Sequence, residues 1–267
     1  MRERLSELRR LSRLELTLSY RFPAIEFLIA ILVFSSGLGV LSIGLTSIGM
    51  HLDPDYNATQ TTEHYTEYMV QKKTLAYVQA LATCTNALFF LIPLFVAFTV
   101  ARPFEDGTLK TILSYPVNRS TLMSVRTLLL LSLTSIPTIA FSAVWTSTLI
   151  PSGLNIGYAM IASIATLVSI LLTYAISQFV AIISKKSSAT VIVGMIFWIA
   201  VTTFIYNPFS PVTLVATLNP VYAVFNFIVG GEYAPIISDL VVGISSALVI
   251  ALFLLATSLR LFSKAEV

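Results

Sequence analysis

The chain has 267 residues, of which 56% are hydrophobic and only 11% are charged, and its formal net charge is +3. Because soluble domains carry about 25% charged residues, this composition excludes a soluble protein and predicts an integral membrane protein. No polar stretch is long enough to bury a core of its own, so we interpret residues 1–267 as a single transmembrane domain.

The first 22 residues predict an amphipathic helix with a cationic side, which we expect to lie in the lipid headgroup layer. The leucines at three- and four-residue spacing are Leu5, Leu8, Leu11, Leu14 and Leu18. A simple topology anchor and an elbow that packs near a cytosolic partner are both compatible with residues 1–22. The apolar run that follows is too long for the core of a signal peptide, so we expect no cleavable signal.

Uncharged runs of membrane-spanning length follow along the rest of the chain. A helix needs about 20 apolar residues to cross the hydrocarbon core of a bilayer. The run 127–184 is interrupted by a proline- and glycine-containing turn and therefore predicts two spans, whereas the run 187–231 holds one span or two. The full set of runs is 27–52, 74–101, 127–184, 187–231 and 240–259.

The distribution of positive charge decides the number of crossings. Lys and Arg concentrate on the cytosolic side of membrane proteins. With six crossings, all sixteen Lys and Arg lie on one side except Lys72 and Lys73, whereas a seventh crossing would place Arg260 and Lys264 outside. We therefore predict an all-α membrane protein with six transmembrane helices, located in the plasma membrane with both termini cytoplasmic.

With six crossings, the second part of the run 187–231 does not form a membrane span of its own. Residues 207–235 contain several prolines around an apolar stretch. Broken apolar helix at membrane depth is tolerated where it packs against protein or lines a cavity. We predict that 207–235 forms a re-entrant helical hairpin on the outer side, before the last span. A loop lying on the membrane surface is the alternative.

Residues 102–126 form a polar island between two uncharged runs. Pro103 can open a helix because its missing N–H is not needed in the first turn, and Pro116 ends the piece because the residue before a proline avoids the helical region. Ile112 and Leu113 would offer an apolar knob to a groove on a partner. An ordinary basic loop explains the cations but neither the acidic pair nor the two prolines.

The residue order in this island is Glu-x-Gly-Thr-Leu, then Pro-Val-x-Arg, then a further arginine. It resembles the cytosolic coupling segment of type-two ATP-binding cassette exporter permeases, and it falls between the second and third predicted spans, as in that family. The matching residues are Glu105, Gly107, Thr108, Leu109, Pro116, Val117, Arg119 and Arg126. Pro103 and Phe104 stand where members often carry another acidic residue.

The resemblance implies a permease subunit that pairs with a second permease chain and is driven by two P-loop ATPase subunits, which bind ATP and Mg²⁺. It also implies a hairpin that roofs the translocation path. The predicted ATPase-coupling residues are Glu105, Asp106, Gly107, Thr108, Leu109, Ile112, Leu113, Pro116 and Arg119. Gly37 and Gly44 lie on one face of the first span and are candidates for close helix packing at the dimer interface.

Missing motifs disfavour other functions. No Gly-x-x-x-x-Gly-Lys-Ser/Thr loop occurs, so we do not expect the chain to bind ATP itself or to act as an enzyme, and we predict no cofactor and no nucleic-acid partner. The spans carry no charged residues away from their ends, which disfavours a secondary carrier. Cys84 is the single cysteine and excludes a cysteine-based metal site. The first outer loop holds possible metal ligands at no recognised spacing, so we interpret it as a solvated acidic loop and predict no metal site; these residues are His51, Asp53, Asp55, His64 and Glu67.

Two rival functions remain beside the exporter permease. A scaffold or assembly subunit could dock a partner through the same island without transporting anything, and a secondary carrier could move a substrate without an ATPase. The cargo, the direction of transport and the identity of the second permease have no motif in the chain.

Overall fold

The computed structural model describes Ala30 and residues 62–113, 118–149, 154–205, 211–230 and 234–264. The predicted amphipathic helix 1–22, the first span with Gly37 and Gly44, the first outer loop up to residue 61, and Pro116 lie outside the described residues. Among the described residues there is no β-strand, and the secondary structure is helical throughout. The all-α prediction is therefore confirmed for this part of the chain.

Nine α-helices and one π-helical turn make up the described chain. In chain order they are α1 (Thr62–Val96), the π-helical turn (Ala97–Ala101), α2 (Arg102–Glu105), α3 (Thr108–Leu113), α4 (Arg119–Leu149), α5 (Ile156–Ser184), α6 (Ser187–Ile205), α7 (Val212–Leu218), α8 (Pro220–Val229) and α9 (Ile237–Lys264).

Four stretches of continuous helix are long and apolar enough to cross a membrane: Val70–Glu105, Arg119–Ser147, Ile156–Ser184 and Ile237–Lys264. The chain is thus a multi-pass membrane protein by length and composition. Helix α6 is also apolar but shorter, with 19 residues. The predicted division of the run 127–184 into two spans is confirmed, because α4 ends at Leu149 and α5 begins at Ile156.

Helix α5 occupies the centre of the bundle and contacts α1, α4, α6, α8 and α9. Its buried surface is rich in alanine, serine and threonine, which let neighbouring helices approach closely. The hydroxyl groups bond within their own helix: Thr173 Oγ1 donates to the carbonyl of Ser169 at 2.8 Å, and Ser177 Oγ donates to that of Thr173 at 2.7 Å. These serine and threonine hydroxyls can therefore be buried at the centre with their donors satisfied inside the helix.

Helix α6 packs closely on the second half of α1. A Cβ atom placed on Gly194 would overlap the ring of Pro93, so this contact requires glycine. Edge-to-face aromatic pairs extend it, with Phe89 and Phe197 ring centroids 5.8 Å apart and Phe90 and Trp198 centroids 6.1 Å apart. The π-helical turn follows directly after this contact.

The apolar run 187–231 divides into α6 and two short helices, α7 and α8. Asn219 separates the two short helices, and its side-chain oxygen accepts a hydrogen bond from the Tyr222 N–H at 3.3 Å. Pro220 follows as the first residue of α8, where a missing N–H is tolerated. Helix α7 packs against α9, and α8 packs against α1 and α5. The described part of the predicted hairpin is thus a broken helix held against the bundle.

Lys and Arg are sorted to the two ends of the bundle. One end, here called the basic end, carries Arg102, Lys110, Arg119, Arg126, Lys185, Lys186, Arg260 and Lys264. Contacts of Phe104 with Phe262 and of Glu105 with Ser187 bring these elements together. The opposite end carries Lys72 and Lys73, beside the hydrogen bond from Gln71 Nε2 to the Ile228 carbonyl.

Candidate functional site

The site begins where α1 extends past the membrane. A helix of 36 residues, Val70–Glu105, is about 54 Å long, and the hydrocarbon core is about 30 Å thick. The helix is thus longer than one crossing, and because charged side chains are costly in the hydrocarbon core, we expect its charged last turn to lie outside the membrane-spanning segment. Helix α2 continues α1 without a break, and Pro103 lies in its first turn. The prediction that Pro103 opens a helix is not confirmed, because the helix is already continuous from α1 when it reaches Pro103.

Helix α2 ends through local contacts of its own residues. The Arg102 Nε atom donates to Asp106 Oδ2 at 3.1 Å in an exposed ion pair, and the Asp106 N–H donates to the Arg102 carbonyl at 2.9 Å. Gly107 follows with φ of +70°, a conformation that other residues seldom adopt. The chain then turns directly into α3, where the Lys110 N–H donates to the Gly107 carbonyl at 3.0 Å.

The central contact of the site joins Glu105 to the first residue of α6. Ser187 donates twice to the carboxylate, from its backbone N–H to Oε1 at 2.9 Å and from its hydroxyl to Oε2 at 2.6 Å. These bonds favour the charged form and hold the pKa of the Glu105 carboxyl below its ordinary value. A carboxylate from one segment thus satisfies an N–H at the positive end of another helix.

Phe104 also joins α2 to neighbouring elements at the basic end. Its ring meets that of Phe262 on α9 edge to face, with centroids 5.9 Å apart, and Lys185 Nζ lies 6.0 Å from its centroid. The short α2 therefore contacts both the α5–α6 turn and the end of α9. Sequence reasoning did not select Phe104; the available signal was a large aromatic residue inside a polar island.

Helix α3 is anchored by its apolar side. Leu109 is completely buried, in the core that also contains Leu122, Met123 and Phe262, and Ile112 packs against the same core. Thr108 and Lys110 are exposed. Leu109 and Ile112 therefore hold the segment to the bundle. The partner-facing role given to Ile112 and Leu113 stays a prediction, since nothing is described of the Leu113 side chain.

The two arginines of the motif, Arg119 and Arg126, lie at different depths in α4. Arg119 begins α4 and is partly buried, close to the basic end. Arg126 lies deeper in the same helix and is only 4% exposed. Beside it, Thr127 Oγ1 donates to Gln178 Oε1 at 3.2 Å, a buried bond between α4 and α5.

The opposite end contains a cavity of about 410 Å³ between α1, α5 and α8, with an uncharged lining of Val70, Gln71, Thr74, Asn155, Tyr158, Phe227 and Ile228. Within the described ranges, no group of three or more His, Cys, Asp or Glu side chains is placed to hold a metal ion.

No protein-family model matches the chain, and no curated protein matches it.

The turn at Gly107 yields a local prediction. Gly107→Pro should open the segment, because proline fixes φ near −65° and the native φ is +70°. Gly107→Ala should have a smaller effect, since an added Cβ meets no atom within 4 Å and the left-handed backbone costs about 1–2 kcal/mol. Opening of the segment can be measured by limited trypsin digestion, as the rate of cleavage after Lys110. This rate should be lowest for the unmodified chain, higher for Gly107→Ala and highest for Gly107→Pro. Equal rates for all three chains would contradict it.

Proposed function

We propose that the chain is the membrane-spanning permease subunit of an ATP-binding cassette exporter, driven by separate P-loop ATPase subunits through residues 102–126. The observation that carries this proposal is the construction of residues 102–113. They form a short folded element at the basic end, joined to the bundle through Phe104, Glu105 and Leu109. An element that only connects two spans needs no such anchoring.

Anchoring matters because a cytosolic motor can move membrane helices only through a stiff connection. Helix α2 prolongs α1, its carboxylate binds the start of α6, and its aromatic ring packs on the end of α9. A displacement applied to α2 would reach three membrane helices directly. This supports a coupling role over that of a passive basic loop.

The orientation follows from charge. Lys and Arg mark the cytosolic side, and the basic end holds all the described Lys and Arg except Lys72 and Lys73. We place this end, with the C-terminal end of α9, in the cytosol of a plasma-membrane protein that crosses six times. The termini would then both be cytoplasmic. Helices α7 and α8 would form the re-entrant hairpin on the outer side.

In the proposed cycle, closure of the partner ATPase pair pushes residues 102–113, and the path between two permease chains changes its access from one side to the other. The chain itself supplies the moving connection and an uncharged lining. ATP and Mg²⁺ belong to the partner subunits. The rival proposals, a scaffold and a secondary carrier, use the same bundle without this driven movement.

Purification of the tagged chain in mild detergent tests the proposal. We expect a stoichiometric P-loop ATPase to copurify, with vanadate-sensitive hydrolysis whose rate changes when Glu105 or Arg119 is replaced. A partner whose ATPase rate is the same with and without the chain would favour the scaffold. Substrate flux by the chain alone, with no ATPase bound, would favour the carrier.

A further inference from the structure

The turn between α5 and α6 meets the Glu105 carboxylate of α2 through Ser187, the first residue of α6. Both hydrogen bonds to the Glu105 carboxylate come from this residue. Two bonds from one residue to the two oxygens of one carboxylate fix orientation as well as distance, and bonds to a charged acceptor are the stronger kind. Because the donor residue opens α6, the contact holds the helix itself.

A second contact joins the same two helices farther along. Gly194, two turns into α6, packs on Pro93 of α1 so closely that it has no room for a Cβ atom. Phe197 and Trp198 continue this contact on the same side. Helix α6 thus contacts the α1–α2 helix near its own start and near its middle, and the π-helical turn packs on it between these two contacts.

The π-helical turn Ala97–Ala101 lies between these two attachments on the α1–α2 helix. Such turns interrupt the regular hydrogen-bond ladder and are frequent at functional sites. They are also among the identifiable places where helices bend. A bend here would swing α2 while the Pro93–Gly194 contact stays in place. Glu105 would then draw the first turn of α6 with it.

We propose that Ser187 is a positioning residue that transmits the movement of α2 to α6, with the Pro93–Gly194 contact as the pivot. Helix α6 is then a membrane helix that the coupling segment displaces directly through Glu105. This inference rests on the proposed function for the origin of the movement. The contact itself can be tested in the chain without a partner.

Hydrogen exchange on the purified chain tests the contact. Ser187→Pro removes both donors yet suits the first position of a helix, and Ser187→Thr keeps both. We expect Glu105→Ala and Ser187→Pro each to raise exchange in the first turn of α6 several-fold, the double variant to show no further rise, and Ser187→Thr to match the unmodified chain. Ser188→Ala is the neighbouring control. Unchanged exchange in both single variants, or additive rises, would overturn the proposal.

Paired spin labels in the complex with its ATPase test the movement. One pair joins Ile192→Cys to Ser245→Cys and reports on α6, and the other joins Lys110→Cys to Ser245→Cys and reports on α3, both in a Cys84→Ala background. With ATP and vanadate, both distances should change, and Ser187→Pro should abolish the α6 change alone. An α6 change that persists in Ser187→Pro, or a change at Lys110 without one at Ile192, overturns the proposal and leaves the proposed function standing. No change in either pair overturns both.

Discussion

Glu105→Lys should uncouple ATP hydrolysis from transport while leaving the chain inserted in the membrane. The substitution replaces an acceptor of two hydrogen bonds with a cation, facing the N–H and hydroxyl of Ser187. The new charge would also lie close to Lys186 and Arg102, whose fields act on this position. The introduced lysine would be repelled by these two cations and by the positive N-terminal end of α6, so the contact between α2 and α6 would be lost. Coupling between distant sites typically corresponds to a 5–150-fold effect, and we expect a loss of roughly that size.

The measurement is the ATPase rate of the reconstituted complex and, once a cargo is known, the amount transported per ATP hydrolysed. Asp106→Lys is the comparison variant, because it reverses the neighbouring charge in the same predicted coupling segment without removing the Ser187 contact, and we expect it to lose less coupling. Among the described contacts, the Asp106 side chain pairs with Arg102 alone, one turn earlier in the helix, and this ion pair is exposed. Exposed ion pairs contribute little to stability. Membrane insertion and expression should be unchanged in both. If the two variants lose coupling equally, general charge and not the Ser187 contact governs the site.

The membrane-spanning helices were predictable because their length follows from bilayer thickness. Uncharged runs of sufficient length marked α1, α4, α5 and α9, and the proline- and glycine-containing turn correctly divided α4 from α5. Backbone groups in lipid must be satisfied within the segment, so a long apolar run leaves helix as the only local solution. Length alone does not resolve the run 187–231, because broken and continuous helices are equally apolar.

The contacts of the candidate site were not predictable in the same way. Residues Glu105 and Ser187 are 82 positions apart in the chain, and no periodicity connects them. Helix α3 has six residues, too few for a hydrophobic pattern to assign a face, so nothing in its sequence separated the buried Leu109 from its neighbours. The motif located the segment; packing of α9 and the α5–α6 turn determined which of its side chains point inward.

The contact between α7 and α9 depends on the absence of one side chain. A Cβ atom added to Gly243 would overlap Ala216 Cβ and lie 2.7 Å from the Ala216 carbonyl carbon and 2.9 Å from its oxygen. Two of these three atoms belong to the backbone of α7 and cannot rotate away. Relief therefore requires α7 to move off α9, which would also disturb α8 beyond the Asn219 break.

Gly243→Ala should therefore destabilise the protein, although the same change in a helix interior ordinarily stabilises it by about 1 kcal/mol. Overpacking of this kind costs about 1–3 kcal/mol, so the sign of the effect is the decisive observation. The midpoint temperature of unfolding in detergent should fall, and α7 should show faster hydrogen exchange. Gly157→Ala is the matched control, because the Gly157 site is exposed and its Cβ would meet one side-chain atom and no backbone: Asn155 Oδ1, at 3.3 Å, which caps α5 through a long 3.3 Å bond from the Tyr158 N–H. A higher midpoint for Gly243→Ala than for the unmodified chain would show that α7 does not rest on α9, and the proposed outer hairpin would lose its support.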